Sequence, residues 1–130
     1  MIVVGYSADP FGRAALEHAI AEARRRDTGL LVINATSGDA YVDTRFARTG
    51  EIHDVEEQLR ASGVEFELQR PVGVDTVTAL LDAVDRPDAE LLVIGIRHRS
   101  PVGKLLLGSV AQQLLLECPK PVLAVKPEGA

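Results

Sequence analysis

Aromatic residues are scarce in this 130-residue chain: they make up 4% of it, with no Trp. The core must therefore be assembled from Val, Leu, Ile and Ala, the composition of parallel sheets covered by helices. Cysteine is nearly absent too. Cys118 stands alone, which excludes an internal disulfide, leaves no partner set for a metal site and agrees with a reducing compartment; beside Pro119 it reads as a small buried hydrophobe. Basic charge is in deficit, 14 Lys and Arg against 19 Asp and Glu, so the broad cationic face that duplex nucleic acid requires is missing and no nucleic-acid partner is expected. No apolar run approaches the roughly 20 residues that span a bilayer. Met1 leads straight into Ile2-Val3-Val4 without a basic leader, so the expectation is a cytoplasmic protein with no membrane contact.

Several phosphate and catalytic motifs are also missing. Gly103-Lys104 is followed by Leu105, with no Gly five residues before Gly103, which excludes a P-loop, and no G-x-G-x-x-G occurs. The first strand runs out into Gly5-Tyr6-Ser7 without an Asp, so a receiver-type phosphoacceptor is excluded. No Ser–His–Asp set, carboxylate pair or metal-ligand spacing emerges, so no catalytic residue and no metal site is expected. His18 and His53 fall within helical patterns and carry little functional weight.

What is present is alternation. Runs rich in β-branched residues at Ile2–Gly5, Leu30–Asn34, Val64–Leu68, Leu91–Ile94 and Val122–Val125 read as strands. Between them lie amphipathic segments. Pro10 to Arg26 keeps Ala14, Leu16, Ala19, Ile20 and Ala23 at helical spacing, opens behind Asp9 as a cap and closes on Arg24-Arg25-Arg26, cations suited to the negative end of the helix dipole. Further helices are expected from about Glu51 to Ala61, ending at Gly63, from Asp75 to Val84, and from Ser109 to just before Pro119.

A β-α-β-α-β-α-β-α-β order implies right-handed crossovers and a parallel sheet. The expected fold is α/β: a doubly wound three-layer sandwich, with a five-stranded parallel sheet of order 3-2-1-4-5 and four helices, forming one domain over residues 1–130. Ligands of such sheets bind beyond the carboxyl ends of the strands, where strand order reverses. That point lies between strands 1 and 4, at the loops Tyr6–Asp9 and Gly95–Gly108. A third segment, Thr36 to Gly50, is longer than usual connections and leaves from the same edge. It reads as a flap or an irregularly packed stretch, from which Tyr41, Arg45 or Arg48 could reach a ligand.

The most informative stretch is Gly95-Ile-Arg-His-Arg-Ser-Pro-Val-Gly-Lys-Leu-Leu-Leu-Gly-Ser109. It gathers Arg97, His98, Arg99 and Lys104 among glycines, just ahead of a helix N-terminus, in an otherwise acidic chain. Backbone amides, positive dipole and cations together suit a phosphate. The residues alone leave a second reading open, in which Gly95 turns the chain, Gly108-Ser109 starts and caps the last helix, and the basic side chains are solvated.

These residues resemble the universal stress protein family of the adenine nucleotide alpha-hydrolase-like superfamily, whose fourth strand is followed by G-x2-G-x9-G-[ST]. Gly95, His98, Gly108 and Ser109 occupy those spacings, and Val110 completes a Ser-Val that often follows. Pro121-Val-Leu-Ala-Val-Lys126 resembles the family's final strand and Val4-Gly-Tyr-Ser-Ala-Asp9 its first strand and turn. The resemblance implies binding of ATP or AMP, with Mg²⁺, if any, held mainly by the phosphates, and at most slow ATP hydrolysis.

It further implies nucleotide contacts from Tyr6, Ser7, Ala8 and Ala35 on one side. Gly95, Arg97, His98, Arg99 and Ser100 would supply others, with Gly108, Ser109 and Val110 at the helix start. Two positions depart from the pattern: Ser7 stands where the family usually has an Asp, and His98 replaces the second Gly. Arg97 and Arg99 offer bidentate phosphate contacts in their place. Val122, Leu123, Ala124 and Val125 form an apolar edge with no inserted charge, and the resemblance implies a homodimer paired through it. Three functions follow as alternatives: an adenine-nucleotide-binding stress-response module, a dimeric interaction module that binds no nucleotide, or a sensor of another phosphate-bearing anion.

Overall fold

Three of the strands are apolar at nearly every position, and their burial explains where they sit. In the computed structural model, described for residues 1–36, 38, 44–96 and 108–128, β1 (Ile2–Gly5), β2 (Leu30–Ile33) and β4 (Leu91–Gly95) are the inner strands of a five-stranded sheet. β3 (Phe66–Gln69) and β5 (Val122–Val125) form its edges, giving the order β3-β2-β1-β4-β5 with every pairing parallel. The expected topology is the observed one. An inner strand covered on both faces needs a continuous apolar run, and Ile2, Val3 and Val4 are each fully buried. β3 alternates instead, Phe66 and Leu68 packing on the core while Glu67 and Gln69 are exposed.

Four helices complete the layers. α1 (Pro10–Arg26) and α2 (Thr49–Ser62) cover one face through Leu16, Ile20, Val55 and Leu59, which pack with Ile2 and Val4. α3 (Thr76–Val84) and α4 (Ser109–Glu117) cover the other, where Leu80, Val84 and Leu114 meet Val3, Leu31 and Leu92. Asp9 and Asp75 cap α1 and α3 by accepting the amides of Gly12 and Thr78 at 2.9 Å, and α2 ends at Gly63 with φ 75°, a conformation that suits glycine.

Element ends differ slightly from the sequence expectation. α2 begins at Thr49, ahead of Glu51. β2 closes at Ile33, and beyond it Asn34 and Thr36 continue against Gln69, Pro71 and Val72 as irregular pairing. Val64 precedes β3 without joining its ladder, because the pairing of Leu30 begins at Phe66. Ser109 opens α4 but does not cap it: the cap position belongs to Gly108, which has no side chain to offer.

Candidate functional site

Two glycines let the first helix approach the sheet. A Cβ on Gly12 would stand 1.9 Å from the Ser7 carbonyl oxygen, and a Cβ on Gly95 would stand 2.2 Å from that of Phe11. Neither separation is available to a real side chain, so α1 seats its first turn against the end of β1 and the end of β4 only because both positions lack one. Gly95 therefore does not turn the chain. It is the last residue of β4, paired with Val125 of β5, and its lack of a side chain serves packing.

The turn between β1 and α1 is closed by its own side chains. Ser7 Oγ donates to Asp9 Oδ1 at 2.8 Å, and the same oxygen accepts the Gly12 amide. Tyr6, 4% exposed, donates its hydroxyl to Glu51 Oε1 at 2.9 Å, where Arg13 also arrives at 3.1 Å. Burial first, and the Glu51 carboxylate second, push the Tyr6 phenol well above its ordinary range. The same carboxylate, as hydrogen-bond partner, raises Arg13. This network ties β1, α1 and the first turn of α2 together.

Asn34 organises the neighbouring segment. It is 1% exposed, and its amide donates to the carbonyls of Tyr6 at 2.9 Å and Arg45 at 3.1 Å while its oxygen accepts the Ala47 amide at 2.8 Å. Ala8 adds a backbone bond to the Arg45 carbonyl at 2.9 Å. Arg70, just past β3, lays its guanidinium 4.2 Å from the Phe46 ring centroid and donates to the Ala47 carbonyl; desolvation lowers its pKa, against the pull of Glu56. Residues 45–47 are thus packed and hydrogen-bonded rather than a solvated flap.

Between these parts lies a cavity of about 270 Å³ at the carboxyl ends of β1 and β4. Ser7, Asp9, Asn34 and Arg45 bring polar groups to it, and Leu80, Ile94, Ile96 and Leu114 give it an apolar floor. Thr76, Gly108 and Val110 bring the starts of α3 and α4 to the same rim.

Comparison with known proteins identifies the lineage. A model of the universal stress protein family matches residues 1–126. The chain belongs to the universal stress protein family. A universal stress protein of Mycolicibacterium smegmatis is 80% identical over 99% of both chains. Among solved structures, the universal stress protein from Archaeoglobus fulgidus in complex with dAMP superposes with a TM-score of 0.65 at 27% identity, covering 96% of each chain. A universal stress protein in complex with cAMP gives 0.70 at 25% identity, covering 96% of this chain and 94% of that one.

Within this universal stress protein domain, Tyr6, Ser7, Ala35, Gly95, Gly108 and Val110 are brought to the cavity as the sequence suggested. Ala8 and Ser109 do not line it: Ala8 packs on the core under α1 and Ser109 is exposed at the start of α4. Arg97, His98, Arg99, Ser100 and Tyr41 lie outside the described residues. Arg45 lines the cavity, whereas Arg48 sits at the cap position of α2, away from it.

Sequence reading missed Asn34, Phe11 and Thr76 as cavity residues; it placed Asp9 at the edge of the candidate loop Tyr6–Asp9 and as the cap of α1, without giving it a ligand contact. The signals existed: Asn34 is the polar residue that ends an apolar strand on the carboxyl edge, and Thr76 follows a capping Asp. Val122, Leu123 and Ala124 are half-buried, with side chains packed on the two core layers, and Val125 is buried. Cys118 is half-buried. Among the described residues no group of three or more His, Cys, Asp or Glu could hold a metal, and no helix is long and apolar enough to cross a membrane.

Proposed function

We propose that this chain binds an adenine nucleotide, ATP or AMP, in the cavity between β1 and β4, and acts as a homodimeric regulatory or sensor module of the cytoplasmic stress response. The observation that carries the reading is a difference between three helix starts on one rim. α1 and α3 are capped by Asp9 and Asp75. Among the described residues, α4 begins behind Gly108 with no side-chain cap and nothing lies within 4 Å of where a Cβ on that glycine would stand. Its first amides, at the positive end of the helix dipole, are the donors left for a phosphate.

The sequence sets Arg97, His98 and Arg99 in the stretch that leads to this helix. That relatives have been solved with dAMP and with cAMP supports an adenine nucleotide as the class. Mg²⁺, if it accompanies the ligand, is held by the phosphates, and hydrolysis is at most slow.

The homodimer reading rests on β5. The strand is an edge, and Leu92 and Ile96 donate to the carbonyls of Pro121 and Val125. Since backbone groups alternate in direction along a strand, Val122 and Ala124 turn theirs outward, along an edge with no charged residue to discourage pairing. A partner-binding module that needs no nucleotide is the second reading, favoured by the same edge and by Ser7 in place of Asp.

Thermal denaturation with millimolar ATP, ADP, AMP or inorganic phosphate separates the readings. At about 100 times Kd a native-state ligand adds about 2.7 kcal/mol. A midpoint raised by nucleotide and not by phosphate supports nucleotide binding. An equal rise with phosphate alone points to a sensor of simple anions, and no rise with any of them leaves the interaction module.

A further inference from the structure

Resting on the nucleotide reading above, we propose that Asp9, with Ser7 as its partner, is the hydrogen-bond acceptor that recognises a donor group on the sugar or base of the ligand. Both residues line the cavity. A hydroxyl carries one proton, and that of Ser7 is committed to Asp9 Oδ1 at 2.8 Å, so Ser7 faces the cavity with lone pairs only. Asp9 Oδ1 is engaged twice, by Ser7 and by the Gly12 amide. Capping of α1 therefore occupies one carboxylate oxygen, while Oδ2 takes part in no hydrogen bond among the described residues.

The side chains of Ser7 and Asp9 thus offer only acceptors to the cavity. Such a surface repels a phosphate and needs N–H or O–H groups, which a nucleotide offers in two places, the ribose hydroxyls and the exocyclic amine of adenine. It also orients the ligand: the phosphate goes to the uncapped start of α4 and the donor-bearing part to Ser7 and Asp9. A carboxylate therefore stands in this turn in direct contact with Ser7.

The test is calorimetric titration of the intact chain with AMP, its 2′-deoxy and 3′-deoxy analogues, and inosine monophosphate, which replaces the exocyclic amine by a carbonyl. At least one analogue lacking a donor is expected to bind wild type about tenfold or more weakly than AMP, the scale of a lost hydrogen bond to a charged group; which one it is tells sugar from base. Asp9→Asn keeps the capping oxygen, and Asn caps as well as Asp. Its unfolding midpoint without ligand should stay near that of wild type, its AMP affinity should fall about tenfold or more, and the preference for AMP over that analogue should vanish.

Equal affinity of wild type for all four compounds overturns the proposal without any variant being needed. So does an Asp9→Asn protein that binds AMP as wild type does. A wild type that binds none of the four removes the nucleotide reading itself, which is a different result from losing the role of Asp9 within it.

Discussion

The Phe11 carbonyl oxygen lies 2.2 Å from where a Cβ on Gly95 would be. A strand end and a helix start thus meet through backbone alone, one step from the cavity. Gly95→Ala must push the first turn of α1 away from β4. Overpacking of this kind costs about 3 kcal/mol, read as a lower midpoint in urea denaturation. Gly50→Ala, on helix surface with nothing within 4 Å among the described residues, should leave stability equal or raise it by a few tenths to about 1 kcal/mol. Equal effects at the two positions would deny the contact its role.

Asn34→Ala removes both donors and the acceptor that hold the carbonyls of Tyr6 and Arg45 and the amide of Ala47. Unsatisfied buried groups cost about 1–3 kcal/mol each, and the variant should lose roughly 3 kcal/mol. Hydrogen exchange gives the specific readout: the Ala47 amide should lose protection far more than the amides of β1.

Tyr6 supplies a pH prediction. Its folded pKa is raised above the unfolded value of 10.0, by burial and by the Glu51 carboxylate. The fold therefore holds the phenolic proton more tightly than the unfolded chain does, so this stabilisation is complete below about pH 10 and is withdrawn as pH rises above it. In a Tyr41→Phe background, phenolate absorbance should appear only at more alkaline pH than in the unfolded protein. Tyr6→Phe should cost about 1–2 kcal/mol near neutrality and flatten the alkaline decline.

For the β5 edge the informative change is Ala124→Pro. It removes a donor that faces away from β4, and proline is tolerated at such edge positions. A dimer paired through this edge should sediment as monomer after the substitution, with the melting midpoint nearly kept. Replacing Leu123 would be less clear, because its side chain packs on the core under α1. An unchanged mass on sedimentation would reject pairing through β5.

The fold was legible because each strand announces itself by a short apolar run and each helix by amphipathic spacing with a cap or a Gly or Pro at one end, so alternation gave a parallel sheet. The region of the site was legible for the same topological reason. Its inner construction was not. Gly12 reads from sequence as a weak residue inside a helix, and only the packing of α1 on Ser7 shows why nothing larger fits. Asn34, Arg45 and Ala47 are joined across a gap in sequence by hydrogen bonds that no periodicity encodes. The second oxygen of Asp9 becomes meaningful only once Ser7 is seen to occupy the first.

The two edges of the sheet are unlike in a way that bears on how far it can grow. β3 presents Glu67 and Gln69, with exposed side chains, whereas β5 is apolar throughout. Pairing β5 with its counterpart in a second copy would consume both permissive edges at once, leaving a β3 at each outer margin. Assembly built this way halts at two copies, so a protein with an unguarded strand is protected from forming a filament by the charge on its opposite side.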